Sequence, residues 1–226
     1  MKKYACLILV TMLLAGCTAP SEPATTTKAT LPEKSPMEML GQTVQLTLEA
    51  SSFVIEYAQK DGDGEFATRF SAEIARDTRG GYLAVISEPC GCGEYISGKT
   101  AAIRSCEDAS VEHLTAEESY DIAYLLRQLP PLEKEVLQRF CNTGLTASPS
   151  RDGSMRFEVN GLNEEQMEQL LGVEMVADAD FQGYFVLVLD AYGNLTQAEY
   201  TEGATVHRIC VTKINQKLDI KKPAWA

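Results

Sequence analysis

The sequence predicts an α+β domain built on one curved antiparallel sheet, with its helices gathered on one face. Two observations predict it. Apolar residues alternate with polar ones in the early and late parts of the chain body, and 3.6-residue periodicity is confined to the middle. The order is therefore strands, helices, strands, and no internal repeat interrupts it.

The early part begins with Val44, Leu46, Leu48 and Ala50, which alternate with polar residues and predict a strand. After Ser51-Ser52 the apolar phase shifts to Phe53, Ile55 and Tyr57, a change of face that predicts a bulge or bend. Asp61-Gly62-Asp63-Gly64 supplies a turn, and Phe66, Thr68, Phe70, Ala72 and Ile74 resume the alternation as a long antiparallel hairpin. A second turn, Thr78-Arg79-Gly80-Gly81, leads to a strand over residues 82–87. A Gly-rich break at 89–93 then leads to two short strands around Gly98.

In the middle, Thr115 and Glu118 have the spacing of a capping box. Ile122, Leu125, Leu126 and Leu129 follow at i, i+3, i+4 and i+7, predicting a helix over 115–129. Pro130-Pro131 ends it and opens another, in which Leu132, Val136 and Phe140 share a face before Gly144. Asn163 and Gln166 repeat the capping signature ahead of Met167, Leu170 and Leu171. Apolar stripes of this kind read as core faces.

Strands return with Met155, Phe157 and Val159. The run 184–189 is apolar at both parities, so that strand is expected to be covered on both sides. Tyr192-Gly193-Asn194 turns the chain into a strand over 195–201, and 206–214 closes the sheet.

Composition narrows the function. The 226-residue chain carries a formal net charge of −12, which argues against a nucleic-acid-binding footprint. It is 45% hydrophobic and 23% charged, the balance of a folded protein. Beyond the N-terminus no run approaches the ~20 apolar residues of a membrane-spanning helix, so the body is expected to be soluble.

The N-terminus gives an address. Lys2 and Lys3 precede an apolar run over 7–14 that is too short to span, followed by Leu14-Ala15-Gly16-Cys17. This tetrapeptide resembles the lipobox of bacterial lipoproteins. The resemblance implies removal of residues 1–16 as a signal peptide and attachment of diacylglycerol to the Cys17 thiol. The acidic mature surface is repelled by anionic headgroups, so attachment to the membrane rests on the acyl chains. From residue 17 to about 37 the chain is rich in Thr, Ala, Pro, Ser, Lys and Glu, with prolines at 20, 23, 32 and 36. It reads as a solvated linker that spaces the domain, residues 38–226, from the bilayer.

The layout from about Val44 to Pro223 resembles the LolA/LolB-like lipoprotein carriers and related lipoproteins of Gram-positive bacteria. The resemblance rests on the opening hairpin, on Gly81-Tyr82-Leu83-Ala84-Val85-Ile86-Ser87-Glu88-Pro89, on the central helix and on the close Ile214-Asn215-Gln216-Lys217-Leu218-Asp219-Ile220-Lys221-Lys222-Pro223. It implies a sheet bent into a half-barrel, helices packed on its concave face, and an apolar cleft between them able to hold acyl chains. A wall left exposed by too few helices is most stable when a greasy ligand replaces water. Cys90-Gly91-Cys92-Gly93 departs from the plain loop usual at that place, and no family ligand-contact residue transfers position by position.

Other chemistry finds little support. Five cysteines remain in the mature body: Cys90, Cys92, Cys106, Cys141 and Cys210. The number is odd, so at least one stays free or pairs between chains. A disulfide of Cys90 or Cys92 with Cys106 fits an extracytoplasmic site, and full reduction fits an anaerobic host. Cys90-x-Cys92 with Cys106 and His113 matches no usual paired zinc spacing, so no metal is expected. His207 reads as an exposed or packed strand residue, and Asp61-Gly62-Asp63-Gly64-Glu65 as a turn lacking the later ligands of a calcium loop. There is no G-x-S-x-G and little histidine, so no catalytic residue is assigned and no cofactor is expected. The expected function is a membrane-anchored, extracytoplasmic, non-enzymatic lipoprotein that binds a lipid or other apolar ligand. The alternative is an interaction lipoprotein that binds or activates a cell-envelope enzyme such as a cell-wall amidase, as a related germination lipoprotein does in spore formers.

Overall fold

The computed structural model of the chain describes residues 35–77, 81–120, 129, 134–176 and 180–226. The first element is a helix, α1 (Pro36–Glu49), where alternation from Val44 to Ala50 predicts a strand. Its start explains the difference. The Ser35 side chain accepts from the Glu38 N–H while Glu38 Oε2 accepts from the Ser35 N–H, a full capping box with Pro36 in the first turn. A helix nucleated there buries Met39, Leu40 and Thr43. Val44 and Leu48 stand four apart, a spacing that both periods share. The helix also takes in the last residues of the segment read as linker.

Eleven strands follow: β1 (Ser52–Asp61), β2 (Ala67–Arg76), β3 (Tyr82–Ser87), β4 (Gly93–Ser97), β5 (Thr100–Arg104), β6 (Val111–Thr115), β7 (Thr146–Pro149), β8 (Met155–Leu162), β9 (Gly183–Leu189), β10 (Leu195–Glu202) and β11 (Thr205–Thr212). They form one antiparallel sheet, ordered β6-β5-β4-β3-β2-β1-β11-β10-β9-β8-β7. The sheet is two meanders joined where β1 pairs with β11, Ile55 opposite Val211 and Tyr57 opposite Ile209. It is not closed, because β6 and β7 are edges. The Asp61-Gly62-Asp63-Gly64 segment is the β1–β2 turn, closed by Gly64 N–H donating to Asp61 O.

Register sorts the side chains. Phe53 stands opposite Ile74, Ile55 opposite Ala72, Ile74 opposite Ala84, Ala84 opposite Ile96 and Ile96 opposite Ala101. On the other wing Ala198 faces Ile209 and Leu187, and Phe157 faces Leu187. These residues are buried in one continuous core with Leu40 of α1. The opposite face carries Glu56, Glu73, Glu158, Arg156, Glu199 and Arg208, as period-two alternation requires. In β9, Val186 on that face is also buried, but Tyr184 and Val188 are half-buried, so covering on both sides is partial.

The other described helices are α2 (Lys134–Cys141) and α3 (Glu164–Leu171). The α2 residues Val136, Leu137 and Phe140, and the α3 residues Met167, Leu170 and Leu171, join the same core as α1. All three described helices therefore contribute side chains to the core that the sheet's buried residues build. The Asn163 and Gln166 capping box forms as the spacing predicts. Gly172 ends α3 with φ +78°, and a Cβ there would come within 2.9 Å of the Arg139 guanidinium. Arg139 Nε in turn donates to Leu170 O at 2.8 Å, tying α2 to the end of α3.

Thr115 does not begin a helix. It closes β6 opposite Thr100, and the chain beyond continues along the β4–β5 hairpin, Ala116 N–H donating to Lys99 O and Tyr120 N–H to Gly98 O. The helix expected through Ile122, Leu125 and Leu126 falls on 121–128, outside the described residues, as does Leu132. Leu129 is buried in the core. Among the described residues no helix is long and apolar enough to cross a membrane.

Candidate functional site

An aromatic ladder crosses the apolar face. Phe70 on β2 meets Tyr57 on β1 at 5.1 Å between centroids, and Tyr57 meets His207 on β11 at 6.0 Å. His207 stacks on Tyr200 of β10 at 4.6 Å and 9°, Tyr200 on Phe185 of β9 at 6.0 Å, and Phe185 on Phe140 of α2 at 4.7 Å. Cross-strand neighbours on one face stand close enough for rings to stack, so the register alone builds this row.

His207 is the polar member of the row and is only 6% exposed. The Tyr57 hydroxyl lies 2.7 Å from its Nδ1, and Gln59 Nε2 lies 3.2 Å from the same atom. The amide can only donate and the hydroxyl supplies a second proton, so Nδ1 is the acceptor and the neutral ring carries its proton on Nε2. Among the described residues Nε2 has no hydrogen-bond partner; the Glu202 carboxylate stands 3.4 Å away without the alignment of one. Burial pushes the imidazole down to about 4, with Asp61 acting in the opposite direction. Burial also raises the Tyr57 and Tyr200 hydroxyls, so both stay protonated at neutral pH.

Beside this row lies a cavity of about 580 Å³, lined by Tyr57, Gln59, Met175, Tyr200, Glu202 and His207 together with Glu174, Val176, Gly203 and Thr205. Its far wall is the segment after α3. Met175 N–H donates to Glu168 Oε1 at 2.8 Å, which holds the segment to the helix. At Gly203, φ +56°, a Cβ would come within 2.8 Å of Val176 O, so only glycine lets the wall close against the β10–β11 turn. Val176 itself is 93% exposed beside this cavity. A second groove of about 380 Å³ runs between α2, β8 and α3, lined by Arg139, Val159, Leu162, Gln166 and Leu170 among others. Both volumes lie in the range of small-molecule sites.

The cysteines divide. Cys92 and Cys106 form a disulfide that joins the β3–β4 and β5–β6 turns, one of the pairings open from the sequence. Cys90 is an exposed thiol, and Cys141 and Cys210 are half-buried thiols whose acidity burial lowers. His113 is exposed on β6 and does not join the Cys90, Cys92 and Cys106 group; Glu88 does. Cys17 lies outside the described residues. Sequence reading left His207 without a role and missed Gln59, Met175, Tyr200 and Glu202. The available signal was parity: His207 and Tyr200 occupy positions on the same face as the apolar residues of their strands.

No protein-family model matches the chain, and no curated protein matches it either. Among solved structures it is similar to LprF from Mycobacterium bovis, at 11% identity and TM-score 0.49, covering 83% of this chain and 96% of that one. It is similar to the lipoprotein LppX from Mycobacterium tuberculosis, at 12% identity and TM-score 0.47, covering 82% and 97%. A LolA superfamily protein from Nitrosomonas europaea matches at 9% identity and TM-score 0.32, covering 81% and 93%. At these identities and scores the likenesses carry none of the functional argument.

Proposed function

We propose that this chain is a lipid-anchored extracytoplasmic lipoprotein, processed before Cys17, whose domain binds a lipid or other apolar molecule without transforming it. The observation that carries the reading is the 580 Å³ cavity beside the aromatic row, whose wall sets Tyr57, Tyr200, Met175 and Val176 among the polar side chains of Gln59, Glu174, Glu202, Thr205 and His207. Tyr57, Tyr200 and Met175 offer apolar surface, and Val176 leaves a large apolar side chain exposed beside it. Gln59, Glu174, Glu202, Thr205 and the buried His207 supply the polar groups that orient a ligand with a polar head and a greasy body. The neutral imidazole and protonated phenols make the site suited to hydrogen bonding rather than to acid–base work near pH 7.

The test is a fluorescent fatty acid titrated into residues 18–226, with Val176→Glu as the variant. Saturable binding is expected, weakened roughly tenfold or more by the variant, since a ligand seated in the cavity covers the exposed position 176 and strips water from the new carboxylate. Equal binding by both proteins, or none by either, contradicts the reading. The runner-up, a module that binds or activates an envelope enzyme such as a cell-wall amidase, is favoured by one feature. Among the described residues β6 is an edge of the sheet, the kind of strand to which a partner can add its own.

A further inference from the structure

Three sulfurs and a carboxylate meet at one end of the β3–β6 wing. We propose that Glu88, Cys90, Cys92 and Cys106 form a zinc site whenever the Cys92–Cys106 disulfide is reduced. With the disulfide in place the four ligand atoms all lie within 4.8 Å of one another, and reduction frees the Cys92 and Cys106 sulfurs to move apart to ligand spacing. Cys90 Sγ is 3.4 Å from Cys92 Sγ and 3.5 Å from Glu88 Oε2. A tetrahedral zinc ion with ~2.3 Å bonds to sulfur sets its ligand atoms ~3.8 Å apart, so two edges of the tetrahedron are nearly in place.

The backbone, not chance exposure, holds this geometry. Glu88 N–H donates to Cys92 O at 3.1 Å and Gly91 N–H to Glu88 O at 3.0 Å, with Gly91 at φ +93°, so the turn folds its three donors together. The facing turn is fixed by Ser105 N–H donating to Ser110 O and Glu107 N–H donating to Ser105 Oγ. Gly93 pairs with Arg104, which sets the two turns side by side. Glu88, Cys90 and Cys106 are exposed, so an ion reaches them without any opening of the fold.

Ligand chemistry selects the ion. Thiolates suit both Cu(I) and Zn(II), and the hard carboxylate oxygen of Glu88 tips the set toward Zn(II). Four protein ligands make a closed, structural tetrahedron with no open position for catalysis. Disulfide and metal exclude each other because both use the Cys92 and Cys106 sulfurs. Passing from one to the other takes two electrons and two protons from a dithiol. The Cys92–Cys106 bond breaks, the dithiol closes to its own disulfide, and zinc then displaces the thiol protons.

The test uses the full-length protein in detergent solution, reduced with a phosphine under argon and titrated with Co(II), then Zn(II). One Co(II) per chain is expected, with sulfur-to-cobalt charge-transfer absorption that Zn(II) abolishes, and none in the oxidised protein. Cys90→Ser leaves the disulfide pair intact and is expected to weaken Co(II) binding at least roughly tenfold, the loss that even an outer-sphere partner costs. A reduced, folded protein without the charge-transfer band overturns the proposal, as does a Cys90→Ser variant that binds as tightly as the parent. Circular dichroism covers the remaining case. If the reduced chain unfolds, recovery of its native spectrum on adding Zn(II) supports the site, and failure to recover overturns it.

Discussion

The Tyr57 hydroxyl lies 2.7 Å from His207 Nδ1 across the β1–β11 pairing, and this contact sets the tautomer of the buried imidazole. With Nδ1 accepting, the proton of the neutral ring sits on Nε2, on the Glu202 side, and burial is what keeps the ring neutral. The aromatic row depends on that neutrality, because a charged ring between Tyr57 and Tyr200 loses its hydration with no aligned acceptor in exchange.

Stability is therefore expected to fall with acid in a defined window. The folded ring titrates near pH 4 and the unfolded one near 6.5. Above the upper value both states are neutral and nothing is lost. Between the two values the unfolded chain binds a proton that the folded chain refuses, so stability declines as pH falls, by on the order of 3 kcal/mol in all. Urea denaturation at pH 7 and pH 4.5 checks this against His207→Phe, which removes the titration. The variant should lose visibly less stability over the interval, and an equal loss contradicts the assignment.

Phe185 is fully buried where it stacks on Phe140 and Tyr200. Phe185→Ala is expected to destabilise by about 3–5 kcal/mol through the cavity it leaves. Tyr192→Ala, at a side chain 73% exposed, should stay within about 0.5 kcal/mol. Chemical denaturation of the two variants side by side measures the contrast.

The Cys92–Cys106 disulfide closes a loop of sequence separation 14. Cys92→Ser is expected to cost about 3 kcal/mol of the oxidised protein's stability, whereas Cys90→Ser, at an exposed thiol, should be near neutral. Thermal denaturation under non-reducing conditions reads both.

Cys17→Ala removes the proposed acyl acceptor, and the acidic body has no charge attraction of its own to anionic lipid. The variant is expected in the soluble fraction after cell fractionation; its persistence in membranes contradicts acyl anchoring.

Much of this architecture was legible because burial on one face writes period two into a strand. The hairpin of β1 and β2 and the strands β3 to β5 and β8 to β11 follow from it, and the faces of α2 and α3 follow from the 3.6-residue period of a helix. The difference at α1 comes from a segment whose apolar residues fit both periods, decided by a capping box at Ser35, three residues before the expected start of the domain at 38. The strands β6 and β7 are edges with mostly exposed side chains, so no alternation marks them. The cavity was illegible for another reason. Tyr57 and Gln59, Glu174 to Val176, Tyr200 to Gly203, and Thr205 and His207 come from separate stretches, and only the β1–β11 join brings them together.

The most direct measurement is native mass spectrometry of the full-length protein extracted gently from its own host's membranes. One non-covalent lipid-sized mass per chain, beyond any acyl group fixed at Cys17 and lost on collisional activation, is the result expected. A chain that carries only its covalent acyl mass, under conditions that keep it folded, contradicts ligand binding.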